Sequence, residues 1–308
     1  MRKRCLDTVY ELAKKNNNIV FIGSDLGIGT LDNFKKEMPE RFFMEGISEQ
    51  HLVGMAAGMA MNKKIVYFNT IATFITRRCF EQNIIDLGIA KANVRLIGNG
   101  GGLVYAPLGP THLAFEDVTI MRAIPNMTII APCDADEMQR AVIASEHYDG
   151  PIYFRVAKGG DPLVSKKEHG FEIGKAIVHR KPGEVLLIAM GVMVERAIRV
   201  ATSLNAKGIE VGVINVHTPK PLDQKTILEQ MRHCKVVITL EEHTLMGGLG
   251  SAVAELVAEQ KHQSHFKFKR MGLPDVFPDQ YGSQNDLIKR YEMDVEAIEQ
   301  NVLSLLEN

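Results

Sequence analysis

The sequence predicts two α/β domains in series. The chain has 308 residues, too many for one ordinary core and about what two domains of roughly 150 residues each need. Strand-like apolar runs alternate with segments of helical period, which is typical of parallel sheets covered by helices on both faces. The second half of 151–170 is polar and glycine-rich and indicates a linker. We therefore place the domains at 1–165 and 172–308.

Predicted strands and helices alternate along the first domain. Its predicted strands end in turn residues and are NIVFIGSDLG (18–27), KIVYFNT (64–70), NVRLIGNGGG (93–102), MTIIAP (127–132) and the start of 151–170. Helices are predicted between them near 48–62, 76–91, 113–123 and 134–146. The second domain repeats the pattern with strands at 184–190, 209–216 and 235–242 and helices near 192–206, 223–232 and 247–260, followed by two C-terminal helices.

Composition and charge exclude several classes of protein. The formal net charge of -1 gives no global field for nucleic acid or an anionic membrane. The four cysteines are far apart and form no C-x-x-C pair, which favours reduced thiols over a disulfide or zinc framework. The basic N-terminus continues with the spacing of an amphipathic helix and lacks the apolar core of a signal peptide. We expect a cytoplasmic protein.

The segment MEGISEQHLVGMAAGMAM (44–61) carries an isolated carboxylate into apolar surroundings. Ser48 is the predicted N-cap of a helix, which places Glu49 in the first turn, where the helix dipole favours a negative charge. Gly54 and Gly58 lie one turn apart in that helix. Because glycine destabilises a helix by about 0.5–1 kcal/mol relative to alanine, the pair indicates close approach of another backbone or a cofactor.

Four motifs in register resemble one enzyme family. MPERFFMEGISEQHLVGMAAGMA, GPTH, RAIPNMTIIAPCDADE and LEEHTLMGGLGSAVAE are similar to segments of the C-terminal half of transketolase and of 1-deoxyxylulose-5-phosphate synthase. The resemblance runs from about residue 8 to the end and is strongest to the C-terminal subunit of transketolases that are split into two chains. It implies a pyrimidine-binding domain followed by a smaller transketolase C-terminal domain.

The resemblance implies a thiamine diphosphate site. Glu49 matches the glutamate that binds a pyrimidine ring nitrogen and activates the cofactor, and Phe74 matches the aromatic residue that packs on that ring. Some members of the family have a second phenylalanine where this chain has Ile71, so one aromatic wall is missing or supplied elsewhere. Arg78 matches a recurrent arginine of the split enzymes to which we assign no role at this point.

The resemblance also implies substrate contacts. His112 matches the histidine that contacts the oxygen atoms of the substrate, and Arg155 matches an arginine that binds its terminal phosphate; an interdomain salt bridge is the alternative for Arg155. Where the family has an aspartate that recognises a hydroxyl, this chain has Leu108. Since leucine cannot accept a hydrogen bond, we expect a less hydroxylated substrate there.

The diphosphate-binding motif GDG of the family does not occur in these 308 residues. The resemblance therefore implies that Mg²⁺ and the diphosphate are held mainly by an N-terminal partner subunit in an α2β2 heterotetramer. The predicted function is two-carbon ketol transfer from a ketose, with a phosphate or another anionic tail, to an aldose. The alternatives are a synthase that decarboxylates a 2-oxoacid, a 2-oxoacid dehydrogenase β-type subunit and a non-catalytic assembly module.

Overall fold

The computed structural model describes residues 1–24, 31–260 and 266–307, which form two sheets in sequence order. This confirms the predicted α/β class, with a six-stranded parallel sheet followed by a second, five-stranded sheet. The exact domain limits at 165 and 172 stay a prediction. None of the described helices is both long and apolar enough to cross a membrane.

The first sheet contains six strands, and each neighbouring pair runs parallel. They are β1 (Ile19–Gly23), β2 (Phe42–Met44), β3 (Ile65–Ile71), β4 (Val94–Asn99), β5 (Thr128–Ile130) and β6 (Ile152–Val156). Their order in the sheet is β2-β1-β3-β4-β6-β5. The helices around it are α1 (Arg2–Lys15), α2 (Asp32–Glu37), α3 (Glu49–Met61), α4 (Ala72–Thr76), α5 (Phe80–Gln82), a π-helix (Asn83–Ile89), α6 (Asp117–Arg122) and α7 (Ala135–Ser145).

The second sheet is mixed. Its strands are β7 (Ile177–Arg180), β8 (Val185–Ala189), β9 (Val211–Asn215), β10 (Val236–Thr244) and β11 (Lys267–Leu273), in the order β11-β10-β8-β9-β7. Only β7 runs antiparallel to its neighbour β9 among the described pairs. The helices are α8 (Met193–Ala206), α9 (Gln224–Met231), α10 (Leu249–Ala258), α11 (Gln284–Arg290) and α12 (Val295–Glu307).

The central strands explain the unbroken apolar runs in the sequence. Every residue of β1, β4, β6, β8 and β9 is buried, as expected for parallel strands with helices on both faces. The strands β2, β7 and β11 were not predicted. The first two have only three and four residues and lie at sheet edges, where a period of two is too short to recognise.

The helix predicted over 76–91 is broken in the structure. It starts earlier, in α4, turns at 77–79 and continues through α5 into the π-helix. Asn83 stabilises the turn because its side-chain amide donates to the carbonyl oxygen of Ile75 at 2.7 Å. The turn directs two neighbouring arginines, Arg77 and Arg78, to different places.

Candidate functional site

The candidate site lies at the carboxyl ends of β1, β3 and β4, the edge at which α/β sheets place ligands. Glu49 begins α3 at this edge and is 1% exposed. Ser48 is the N-cap residue as predicted, but its hydroxyl donates to the carbonyl oxygen of Gly46 instead of capping the helix. The carboxylate of Glu49 points toward the strand ends, where other side chains satisfy it.

Three side chains contact the carboxylate of Glu49. The hydroxyls of Ser24 and Thr70 lie 2.9 and 3.2 Å from Oε1, and Nη1 of Arg78 donates to Oε2 at 2.5 Å. Burial alone raises the pKa of Glu49, but its backbone N–H, the hydrogen bonds from Arg78 and Ser24 and the charge of Arg78 together hold that pKa below its usual value. The carboxylate is therefore buried, ionised and paired.

Phe74 and His112 continue the surface away from Glu49. The guanidinium carbon of Arg78 lies 4.2 Å from the centre of the Phe74 ring. The imidazole of His112 meets the same ring edge-on, with the two ring centres 5.3 Å apart and the planes at 66°. The structure thus brings together three residues that the sequence analysis assigned to one site: Glu49, Phe74 and His112.

The loop that carries His112 is fixed from outside the site. Arg77 forms an ion pair with Glu116 at 2.5 Å and donates to the carbonyl oxygens of Leu113 at 2.7 Å and Pro110 at 3.2 Å. These contacts lie on both sides of His112 in the sequence. The loop is also closed on itself, because Gly101 and Gly102, just after β4, pair with Ala114. Arg77 is therefore a positioning residue for the loop.

Ile71 and Leu108 lie at the margin of this surface. Ile71 is the last residue of β3 and the N-cap of α4, the helix that carries Phe74, and it is partly exposed. Leu108 ends a 3₁₀ turn (Ala106–Leu108) on the loop of His112 and is 49% exposed. An exposed leucine on the loop of the substrate-binding candidate is compatible with the predicted substrate contact, which stays a prediction.

Arg155 lies elsewhere. It is 6% exposed, and its Nε donates to the carboxylate of Asp117 at 2.9 and 3.2 Å. Its Nη2 donates to the carbonyl oxygens of Ala114 at 3.2 Å and of Glu242, in the second domain, at 2.8 Å. The predicted phosphate contact does not fit this placement, because the guanidinium is committed to interior acceptors. The structure favours a structural role close to the alternative: the salt bridge lies within the first domain, to Asp117, and the link to the second domain is the hydrogen bond to Glu242.

Arg155 belongs to a fully buried cluster between the domains. His243 lies 3.9 Å from Asp117 and 3.6 Å from Glu241, and Glu241 accepts hydrogen bonds from the backbone N–H groups of Leu249 and Gly250 at the start of α10. Burial raises the pKa of Glu241 to about 7 and lowers that of His243 to about 4. This cluster joins α6 and β6 to β10 and α10.

The surface around Glu49 fits a planar, polar cofactor. Three buried polar atoms on β3, α4 and β4, Asn69 Nδ2, Thr73 Oγ1 and Asn99 Oδ1, have no hydrogen-bond partner within the described residues. Buried polar atoms in proteins are almost always satisfied, so these three are exceptions in the elements that carry the candidate site. In 1–24, 31–260 and 266–307 no group of three His, Cys, Asp or Glu side chains could hold a metal ion.

The chain matches two family models, the transketolase pyrimidine-binding domain over residues 1–160 and the transketolase C-terminal domain over residues 174–298. The chain belongs to the transketolase family. This confirms the resemblance that the motifs carried. The first model covers β1–β6 and hence all the residues of the candidate site, and the second covers the sheet that lies against it.

Individual relatives support the same assignment to the transketolase family. The chain is 36% identical to a subunit of the apulose-4-phosphate transketolase of Actinobacillus succinogenes, over 88% of this chain and 87% of that protein. It is 36% identical to a 1-deoxy-D-xylulose-5-phosphate synthase of Syntrophotalea carbinolica, over 97% of this chain but only 47% of that protein. A solved structure described as a split gene transketolase, inactive beta4 tetramer, is 32% identical with a TM-score of 0.89, over 99% of this chain and 97% of that one.

Sequence reasoning missed part of the environment of Glu49. Ser24 follows β1 and Thr70 precedes the end of β3, and both are buried. A hydroxyl residue at the end of a strand is the available signal, but only the parallel pairing of β1 with β3 brings the two hydroxyl oxygens to 2.7 Å from each other. The sequence analysis also gave no role to Arg78, which the structure places against Glu49.

Proposed function

We propose that this transketolase-family chain is the catalytic C-terminal subunit of a two-chain enzyme. The enzyme uses thiamine diphosphate and Mg²⁺ to transfer a two-carbon ketol unit from a ketose to an aldose. The observation that supports this best is the buried carboxylate of Glu49 beside the face of Phe74, with His112 on the same ring. A carboxylate and an aromatic face are what an aminopyrimidine ring requires for a hydrogen bond and for stacking.

The bound cofactor supplies a nucleophilic carbon that also acts as an electron sink for the two-carbon unit. Glu49 would hold a proton at a pyrimidine ring nitrogen and move it during activation, because its ionised carboxylate can accept that proton. Phe74 would stack on the ring, and Ile71 would line it where other members of the family have an aromatic residue.

The substrate side of the proposed site is formed by the loop of His112. Its imidazole can donate a hydrogen bond to the carbonyl oxygen of the substrate or transfer a proton there. Leu108 offers no acceptor for a hydroxyl, so we propose a substrate that is less hydroxylated at this position. The substrate tail is a phosphate or another anion, and its binding group is not Arg155.

The second subunit of the proposal would supply the metal and diphosphate contacts in an α2β2 assembly. Exposed apolar side chains support a partner: Ile47, Met61 and Ile89 are 75%, 79% and 73% exposed, before α3, at its end and at the end of the π-helix. A Cβ at Gly58 of α3 would meet no described atom within 4 Å. Large apolar side chains left exposed at both ends of one helix are candidates for contact with another chain.

The test of the proposed function begins with reconstitution. The chain is mixed with a transketolase N-terminal subunit that carries the GDG motif, and thiamine diphosphate binding is measured by calorimetry in the presence of Mg²⁺. We expect tight binding by the mixture and weak binding by this chain alone. Equal binding with and without the partner would contradict the two-chain assignment.

Phe74 provides a matched pair of variants for the same measurement. Phe74→Leu should weaken cofactor binding by about tenfold, because stacking contributes about 0.5–1.5 kcal/mol beyond area burial. Phe115→Leu is the control, since Phe115 meets the ring of Phe277, in the second domain, edge-on.

A product screen with phosphorylated, sulfonated and deoxy ketoses, and with pyruvate as donor, then separates ketol transfer from the decarboxylating alternative. Product formation with pyruvate as donor, and none with the ketoses, would favour the synthase.

A further inference from the structure

The side chain of Arg78 lies between the two groups that the proposed function assigns to the pyrimidine ring. Its Nη1 donates to Oε2 of Glu49 at 2.5 Å, and its guanidinium carbon lies 4.2 Å from the centre of the Phe74 ring. The side chain is 39% exposed, whereas that of Glu49 is 1% exposed. Arg78 therefore approaches the carboxylate from the solvent side and covers the open face of Phe74.

A guanidinium group and an aminopyrimidine ring can make the same contacts in the space between Glu49 and the ring of Phe74. Both are flat, both present a π-face to an aromatic ring, and both can donate an in-plane N–H to a carboxylate, the pyrimidine once its ring nitrogen is protonated. Two such groups cannot stack on one face of Phe74 and bond one oxygen of Glu49 at the same time. We propose that Arg78 occupies the pyrimidine position in the cofactor-free chain and must leave it before thiamine diphosphate binds.

The position of Arg78 gives it a second task, which is to neutralise a buried charge. Among the residues that the structure describes, no other cation lies within 4 Å of the carboxylate of Glu49; the hydroxyls of Ser24 and Thr70 are neutral. The nearby titratable groups are Cys79, a buried thiol whose pKa burial and Glu49 raise to about 12, and His112 beyond Phe74. Arg78 thus keeps Glu49 ionised until a ligand replaces it.

The neighbouring arginine provides an internal control. Arg77 has the same charge and lies one residue away, but it pairs with Glu116 and the carbonyl oxygens of Leu113 and Pro110. Removal of Arg77 changes the charge of this segment by the same amount without opening the space between Glu49 and Phe74. A difference between the two alanine variants therefore reports on that space and not on net charge.

The inference about Arg78 rests on the proposed function, so its first test is made without the cofactor. The purified chain, with Arg78→Ala or Arg77→Ala, is titrated with methylguanidinium, a free copy of the removed group. We expect saturable millimolar binding by Arg78→Ala and none by the wild type, by Arg77→Ala or by the double variant Arg78→Ala with Glu49→Gln. Circular dichroism confirms that each variant is folded, and Arg78→Gln serves as a second variant.

The second test uses the chain reconstituted with its partner subunit and measures the apparent Kd for thiamine diphosphate at saturating Mg²⁺. Because only the open fraction binds, Arg78→Ala should lower this Kd by about tenfold, whereas Arg77→Ala, which frees no space between Glu49 and Phe74, should not lower it. Methylguanidinium should raise the Kd of Arg78→Ala back toward that of the wild type, by competition.

Two results would overturn the inference alone. One is a Kd that rises in Arg78→Ala, because Arg78 would then contribute to the bound state; the other is methylguanidinium binding without competition. If the wild-type complex binds no thiamine diphosphate, the proposed function fails and the inference with it. The first test separates this case from a failure of the inference alone. Methylguanidinium would still bind Arg78→Ala, and this binding would still require Glu49.

Discussion

The first domain contains two arginine–carboxylate ion pairs that differ in whether solvent reaches them. Glu49 pairs with Arg78, and the two side chains are 1% and 39% exposed. Asp117 pairs with Arg155, and these side chains are 0% and 6% exposed. The cation of the first pair is partly open to solvent, whereas the second pair is enclosed and Arg155 also donates to Glu242 of the second domain. Similar residue types thus form part of the candidate site in one place and of the contact between domains in the other.

The largest expected difference between the pairs is in stability. Arg155→Ala leaves the buried Asp117 uncompensated and should lower the free energy of unfolding by about 3–5 kcal/mol. Arg78→Ala also removes the cation that neutralises a buried carboxylate, but Arg78 is partly exposed and two hydroxyls still donate to Glu49, so the loss of stability should be smaller than in Arg155→Ala. Urea denaturation of both variants measures the contrast. A stable Arg155→Ala protein with an impaired KM only for phosphorylated substrates would restore the phosphate-binding role.

His112 provides the next largest effect. His112→Ala should lower turnover of the reconstituted enzyme by about 100-fold, since proton transfer by a positioned side chain contributes at least that much. The Kd for thiamine diphosphate should stay close to the wild-type value. His147→Ala is a control at an exposed histidine, whose side chain is 85% exposed. Loss of cofactor binding in His112→Ala would assign the histidine to the cofactor instead.

The interior cluster should respond to pH. Burial and Arg155 outweigh Asp117 and lower the pKa of His243 from 6.5 to about 4, so the folded protein holds it neutral. Its contribution to stability is complete above pH 6.5 and is lost as the pH falls from 6.5 toward 4. Glu241 has the opposite sign, because burial raises its pKa from 4.5 to about 7 and its contribution is lost as the pH rises through that range.

His243→Gln should therefore flatten the acid side of the curve of unfolding free energy against pH. The control is His147→Gln, at a histidine whose side chain is 85% exposed. An unchanged acid slope in His243→Gln would show that His243 is not held neutral by its surroundings.

Leu108 should give the smallest effect. Leu108→Asp adds an acceptor on the loop of His112 and should shift preference toward substrates with an additional hydroxyl by about 1 kcal/mol. Since Leu108 is 49% exposed, the new carboxylate should be tolerated by the fold. Competition between two ketoses that differ in one hydroxyl measures the shift. An unchanged product ratio would show that position 108 does not face the substrate.

The parts of the fold and site that depend on local sequence could be predicted. The buried strands are continuous apolar runs, and Glu49, Phe74 and His112 stand in motifs, so their elements and their family were accessible without coordinates. The edge strand β2 was missed because three residues carry no period, and the helix near 76–91 was misjudged because Asn83 fixes a turn that apolar spacing does not show.

The assignment of charged residues depends on packing and could not be predicted. Arg155 and Arg78 both follow apolar segments at the same edge of the first sheet, and nothing in either residue type distinguishes an enclosed arginine from an accessible one. The difference arises because the second domain covers Arg155 through the carbonyl oxygen of Glu242, while Arg78 stays on a turn open to solvent. Ser24 and Thr70 were missed for the same reason, since only strand pairing brings them to Glu49.

The central claim is that the buried carboxylate of Glu49 activates thiamine diphosphate. The most direct measurement is hydrogen–deuterium exchange at the thiazolium carbon of the cofactor bound to the reconstituted complex, in wild type and in Glu49→Gln. The near-isosteric amide should preserve the fold and much of the cofactor binding, but it cannot carry the proton at the ring nitrogen. We predict that exchange slows by orders of magnitude in Glu49→Gln; exchange at the wild-type rate in the cofactor-loaded variant would contradict the account.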